Sequence, residues 1–119
     1  MSELSRNLIR QAYDAFNSRN IDRALQVMHH DVHWPNGWEG GYVNGHEALR
    51  EYWTRQWKEI DPVVTPVSFR ERSDGRVDVE VKQLAKDKQG KTLFNGIVHH
   101  VYLVKDGLIS NMEIEHADG

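Results

Sequence analysis

Histidines and aromatic residues carry most of the chemistry open to this chain. It has seven His, four Trp, four Tyr and no Cys in 119 residues. Without cysteine there is no disulfide framework, thiolate metal site or cysteine nucleophile, and proton transfer falls to imidazole, whose charge changes near neutral pH. His99 alternates with Asn95, Ile97, Val101 and Leu103, whereas its neighbour His100 has the opposite parity. A histidine among aliphatic residues in a cavity has its charged form disfavoured, which leaves a neutral ring able to accept or donate a proton. His29, His30, Asp31 and His33 also bring metal-ligating atoms close together in sequence. Adjacent residues on a helix do not share a face, so this run reads as a surface feature and no metal is expected. Glu113 and Glu115 alternate with Met112 and Ile114 and read as a solvated or dimer-edge pair. Trp34 and Trp38 flank a glycine-rich stretch and suit a pocket mouth, while Trp53 and Trp57 are spaced as a helix face.

The elements that must position these groups follow from periodicity. Leu4, Leu8, Ala12, Ala15 and Phe16, widened by Ile9 and Tyr13, predict an amphipathic first helix. Asn20 caps a shorter second helix with Ala24, Leu25 and Met28 as its apolar positions. A brief strand at His33 and Trp34 is interrupted by Pro35, Asn36 and Gly37. Asn44, three residues before Glu47, predicts a capping box opening a third helix that runs to about Glu59. From Pro62 on the period is two, and Asp74-Gly75, Gln89-Gly90 and Asp106-Gly107 mark three hairpin turns. Four strands result, 65–72, 76–87, 92–104 and 108–116, with the third apolar on both faces. Such a strand is covered on both sides, and three helices cover only one side of a sheet, so a homodimer through the outer sheet face is expected.

Size and charge narrow the class. The chain is long enough for one domain over residues 1–119 without staples, and no linker or repeat divides it. Fifteen basic and eighteen acidic residues give a net charge of −3 with no basic block, which argues against nucleic-acid binding. The polar start and the lack of an apolar run near the roughly 18 residues of a membrane span argue against secretion or insertion, and cytoplasmic residence is expected.

The order of elements, with Tyr13-Asp14-Ala15-Phe16-Asn17, Asn44-Gly45-His46-Glu47-Ala48-Leu49 and Lys105-Asp106-Gly107-Leu108-Ile109, resembles the SnoaL-like and ketosteroid-isomerase-like branch of the nuclear-transport-factor-2-like superfamily. The resemblance covers the whole chain. It implies an α+β cone in the order ααβαββββ, a curved antiparallel sheet wrapped around three N-terminal helices and enclosing one pocket. It also implies that the steroid-isomerase groups are replaced: the family's helix-one tyrosine falls at Ala12, beside Tyr13, its base at Asn36 or Pro35, and its third-strand acid at His99. The same resemblance turns the His99 side of that strand toward the pocket. His99 is then the expected proton-transfer group, with His33, Asn36 and Tyr13 orienting a substrate. Trp34, Trp38, Trp53, Trp57, Val101, Met112, Ile114 and His116 are the expected substrate-binding residues.

The function implied is cofactor-free acid/base chemistry of the isomerase, cyclase or dehydratase type on a hydrophobic oxygenated small molecule. A non-catalytic binding domain for a lipophilic ligand, and a structural dimer whose cavity is filled by its own tryptophans, are the alternatives.

Overall fold

In the computed structural model the described residues are 3–116, the side chain of His116 excepted. Helix α1 (Glu3–Asn17) buries Ile9, Ala12, Tyr13 and Ala15, and Leu4 at its start is exposed. The Asn20 side chain accepts from the Arg23 N–H and caps α2 (Ile21–Leu25) as expected, but Met28 lies beyond it and opens a strand. Strand β1 (Met28–Pro35) therefore begins earlier than periodicity suggests, and His29, His30 and Asp31 belong to it.

A short strand, β2 (Tyr42–Asn44), pairs with β1 and was not foreseen, because three residues are too few to show a period. Asn44 sits in β2 with its Oδ1 on His33 Nδ1 at 2.7 Å, so it does not cap the third helix. Gly45, at φ 88°, takes the N-cap position of α3 (His46–Glu59) without a side-chain bond. After Glu59 the chain passes from α3 directly into β3 (Ile60–Glu71).

β3, β4 (Val77–Asp87), β5 (Thr92–Lys105) and β6 (Leu108–His116) form the expected antiparallel meander. The turn at Asp106-Gly107 has both residues at positive φ, 56° and 78°, the backbone twist that suits a two-residue hairpin. β1 joins the far side of β6 in parallel, giving a six-stranded sheet in the order β2-β1-β6-β5-β4-β3. The sheet is thus antiparallel except at this pair. Its concave face packs on the helices: Val79, Val81, Val98, Tyr102 and Met112 meet Ile9, Tyr13, Leu49 and Trp53 in one core. Among the described residues no helix is long and apolar enough to cross a membrane.

Strand β5 decides which histidine meets that core. Val98, His100 and Tyr102 are buried, at 2%, 6% and 1% exposure, while Ile97 and Leu103 on the other parity are 41% and 38% exposed. The even-numbered residues face inward. The expectation that His99 and Val101 face the pocket is corrected by one residue, and in a strand a one-residue shift exchanges the two faces. Both sides of β5 are apolar in sequence, so periodicity could not assign the faces.

Candidate functional site

Between α1, α3 and the concave sheet lies a cavity of about 520 Å³. α1 supplies Ala12, Tyr13 and Phe16, and α3 supplies Tyr52, Trp53 and Gln56. The sheet contributes Trp34, Gln83, Ala85, Val98, His100, Tyr102, Met112 and Ile114, and the β1–β2 connection contributes Gly37, Trp38 and Gly41. The tryptophans form walls and leave this space open, contrary to a cavity filled by its own side chains. Trp34 meets Trp53 edge to face at 5.7 Å, and Trp38, 38% exposed, stands at the mouth. There the Tyr42 hydroxyl donates to Glu113 Oε2 at 2.7 Å.

The polar centre of the cavity joins Tyr13, expected to orient a substrate, to His100, the histidine of opposite parity on β5. Tyr13 Oη and His100 Nδ1 are hydrogen-bonded at 2.8 Å, and both residues are buried. The Tyr13 ring meets Tyr102 edge to face at 6.1 Å, close enough for the two hydroxyls to act on one another. Burial, aided by the nearby His99, lowers the His100 pKa to about 4, so the ring is neutral at neutral pH. Burial first, then Tyr102, raises the Tyr13 hydroxyl well above its ordinary value, and burial raises Tyr102 against the opposing bond from Tyr13. Both phenols therefore stay protonated and can donate. A neutral imidazole bonded to Tyr13, which in turn acts on Tyr102, offers a proton acceptor and phenol donors in one chain of polar groups.

A second polar group lies on α3. Tyr52, its pKa raised by burial to about 12, is approached by the peptide N–H groups of Trp38 and Gly37, and Gln56 Nε2 lies 3.4 Å from its hydroxyl.

The other expected residues fall outside the cavity. His99 is on the convex face, its Nδ1 2.7 Å from Asp78 Oδ1. Asp78 is 4% exposed, and its other oxygen receives Arg72 Nη2 at 2.9 Å. Burial alone would raise the Asp78 pKa, but the bonds from His99 and Arg72 outweigh it and hold the carboxyl below the usual value. Arg72 also pairs with Glu115 at 2.7 Å, so Glu115 belongs to an ion-pair network. Val101 is buried beside this network, opposite Asp78 and Glu113 in the ladder.

Asn36 is buried but structural. Its Oδ1 accepts from the Trp38 and Glu39 N–H groups and its Nδ2 donates to Glu39, which pins the mouth loop. His33 is stacked on Tyr42 at 4.3 Å and borders a separate surface depression with His29 and Asp31. Trp57 packs behind the cavity on Phe16 and Trp53, with Arg19 over its ring. His116 is opposite Val98 in the ladder, and its side chain lies outside the described residues. Tyr13, Trp34, Trp38, Trp53, Met112 and Ile114 are the expected residues that do line the cavity.

His29, His30 and Asp31 bring one ligating atom each within 4.8 Å of one another on the surface, with the two rings stacked at 4.6 Å. Each is at least partly exposed.

The missed residues left two signals. Phe94, Val98 and Tyr102 form the more aromatic parity of β5, which is the cavity side, and Gln56 interrupts an otherwise apolar stripe on α3.

The architecture has known relatives. TerC, solved co-crystallised with polyporic acid, is 26% identical, with 96% of this chain and 92% of that one covered and a TM-score of 0.83. A nuclear-transport-factor-2-like protein of unknown function from Burkholderia pseudomallei is 21% identical over 98% of this chain and 92% of its own, with a TM-score of 0.83. Bal32a, from a soil-derived mobile gene cassette, is also 21% identical over 98% of this chain and 91% of its own, at a TM-score of 0.84. The last two likenesses are of fold alone. None of the curated proteins compared matches the chain in sequence. The family model of the SnoaL-like domain matches residues 9–112, spanning the helices and the sheet up to β6. The chain belongs to the SnoaL-like domain family.

Proposed function

We propose that this protein binds a flat, hydrophobic, oxygenated small molecule in the cone cavity and moves a proton on it, with His100 as the transfer group and Tyr13 and Tyr102 as donors to its oxygen. The observation that carries the reading is the buried Tyr13–His100 bond in the wall of an aromatic cavity. A neutral His100 can take a proton from carbon beside a carbonyl. The electron pair then moves onto the carbonyl oxygen, where phenol O–H groups stabilise the developing charge, and the imidazolium returns the proton to another carbon. Proton and electrons balance, so the step needs no redox partner. An enolate formed this way serves isomerisation, aldol-type cyclisation or dehydration alike. The polyporic acid complex of TerC is consistent with a ligand of this shape and oxygen content.

The test uses 2-tetralone, a flat ketone with exchangeable hydrogens next to its carbonyl. In deuterated buffer the protein should speed their exchange, and His100→Ala should lower that acceleration about 100-fold. Binding of 2-tetralone without acceleration would identify a carrier.

A second copy of the chain is the partner we infer. On the convex face Ile97 and Leu103 are 41% and 38% exposed on the strand that carries His99 of the Arg72–Asp78–His99–Glu115 network, and Val63 on β3 is 42% exposed. Sedimentation should give a dimer, and Ile97→Glu a monomer; a monomeric wild type refutes this.

A further inference from the structure

The cavity holds a polar group that the chemistry above leaves unused. Gln56 is 8% exposed and lines the cavity, yet its Oε1 has no hydrogen-bond partner. A buried amide half without a partner costs about 1–3 kcal/mol. Leucine or methionine would fill the same position on α3 without that cost.

The bonding around Tyr52 decides which half of the amide is free. The Trp38 N–H is held by Asn36 Oδ1, but the peptide N–H of Gly37 approaches the Tyr52 oxygen, so that oxygen has a donor. Its own proton needs an acceptor, and the Gln56 amide is the neighbour 3.4 Å away. The oxygen and nitrogen of an amide have nearly the same shape, and the hydrogen-bond network assigns them. Turned by half a rotation, the Gln56 carbonyl accepts from Tyr52 O–H and the NH₂ becomes the unpaired half. Tyr52 then fixes the amide, and the mouth loop fixes Tyr52.

We infer that Gln56, oriented by Tyr52, is a specificity-determining residue that donates to a second oxygen of the ligand, remote from the one met by Tyr13, Tyr102 and His100. This rests on the small-molecule reading above and narrows its substrate class. The ligand carries at least two oxygen acceptors, one at each polar station, on an apolar frame between them. A mono-oxygenated ligand satisfies one station and leaves the other unpaired, which is the condition under which a site discriminates strongly.

The experiment compares 2-tetralone with its 5-, 6-, 7- and 8-methoxy derivatives, whose added ether oxygen accepts but cannot donate. Dissociation constants are measured for the wild type and for Gln56→Leu. At least one isomer should bind the wild type about five- to tenfold more tightly than 2-tetralone, and that preference should vanish in Gln56→Leu. Gln56→Leu removes both the unpaired half and the acceptor of Tyr52 O–H, so a purely structural role would weaken all five ketones alike, whereas recognition removes only the preference among them. If no isomer gains, or if the preference survives in Gln56→Leu, the inference is wrong while the small-molecule reading stands. If the wild type binds none of the five ketones, both are refuted.

Discussion

His99 and His100 are neighbours of the same residue type, and the two faces of β5 give them opposite chemistry. His100 points into the cavity, bonded to a neutral phenol and desolvated. His99 points outward onto a buried carboxylate that Arg72 also holds. The inner environment disfavours an imidazolium at His100. His100 is buried and His99 half-buried, and their ring nitrogens meet a phenol in one case and a carboxylate in the other.

The largest expected contrast is in acid. Folded His100 titrates near pH 4, whereas an unfolded histidine titrates near 6.5, so in this window the unfolded chain binds a proton that the folded chain does not. Stability should therefore fall as pH drops from 6.5 toward 4, by about 3 kcal/mol at 1.4 kcal/mol per unit. Urea titrations at each pH should show this slope in the wild type and lose it in His100→Leu. Asp78 acts lower on the scale: its depressed pKa gives stability that is lost only below the usual carboxylate range.

Next in size is the exchange of 2-tetralone hydrogens. The roughly 100-fold loss in His100→Ala should be matched by a change of no more than about twofold in His99→Ala. Equal losses would abolish the distinction between the faces.

On the outer side, Asp78→Asn removes the charge that His99 and Arg72 share, and thermal or chemical unfolding should show a loss of about 2 kcal/mol with ligand binding unchanged. On the inner side, Tyr13→Phe removes the bond to His100 and should cost about 1 kcal/mol of stability. The smallest effect is expected at His33. Half-buried at the sheet edge against Asn44 and Tyr42, it should on replacement by alanine change stability by less than about 0.5 kcal/mol and leave 2-tetralone binding unaltered.

The same contrast explains what could be read from the sequence. Turn glycines declare themselves because few side chains tolerate their backbone: Gly75, Gly90 and Gly107 all have positive φ at the three foreseen hairpins. Helix α1 shows its buried face through a stripe of apolar residues with polar ones opposite. β5 gives no such contrast, since Ile97, Val101 and Leu103 on one parity match Phe94, Val98 and Tyr102 on the other. The face of His99 thus followed from the resemblance, and it was one residue off. Tyr13 was expected to orient a substrate although the family's tyrosine falls one position away at Ala12, and α1 turns it into the cavity wall. Asn36 and Asn44 show a different difficulty: both have side chains suited to several local bonds, and only the folded loop selects which.

The most direct test of the cavity assignment is an NMR titration of ¹⁵N-histidine-labelled protein with 2-tetralone. The assignment predicts that the His100 ring nitrogens shift on ligand addition, that those of His99 do not, and that free His100 stays neutral until the pH approaches 4. Shifts at His99 with none at His100 would place the ligand on the wrong side of the sheet for this account and contradict it.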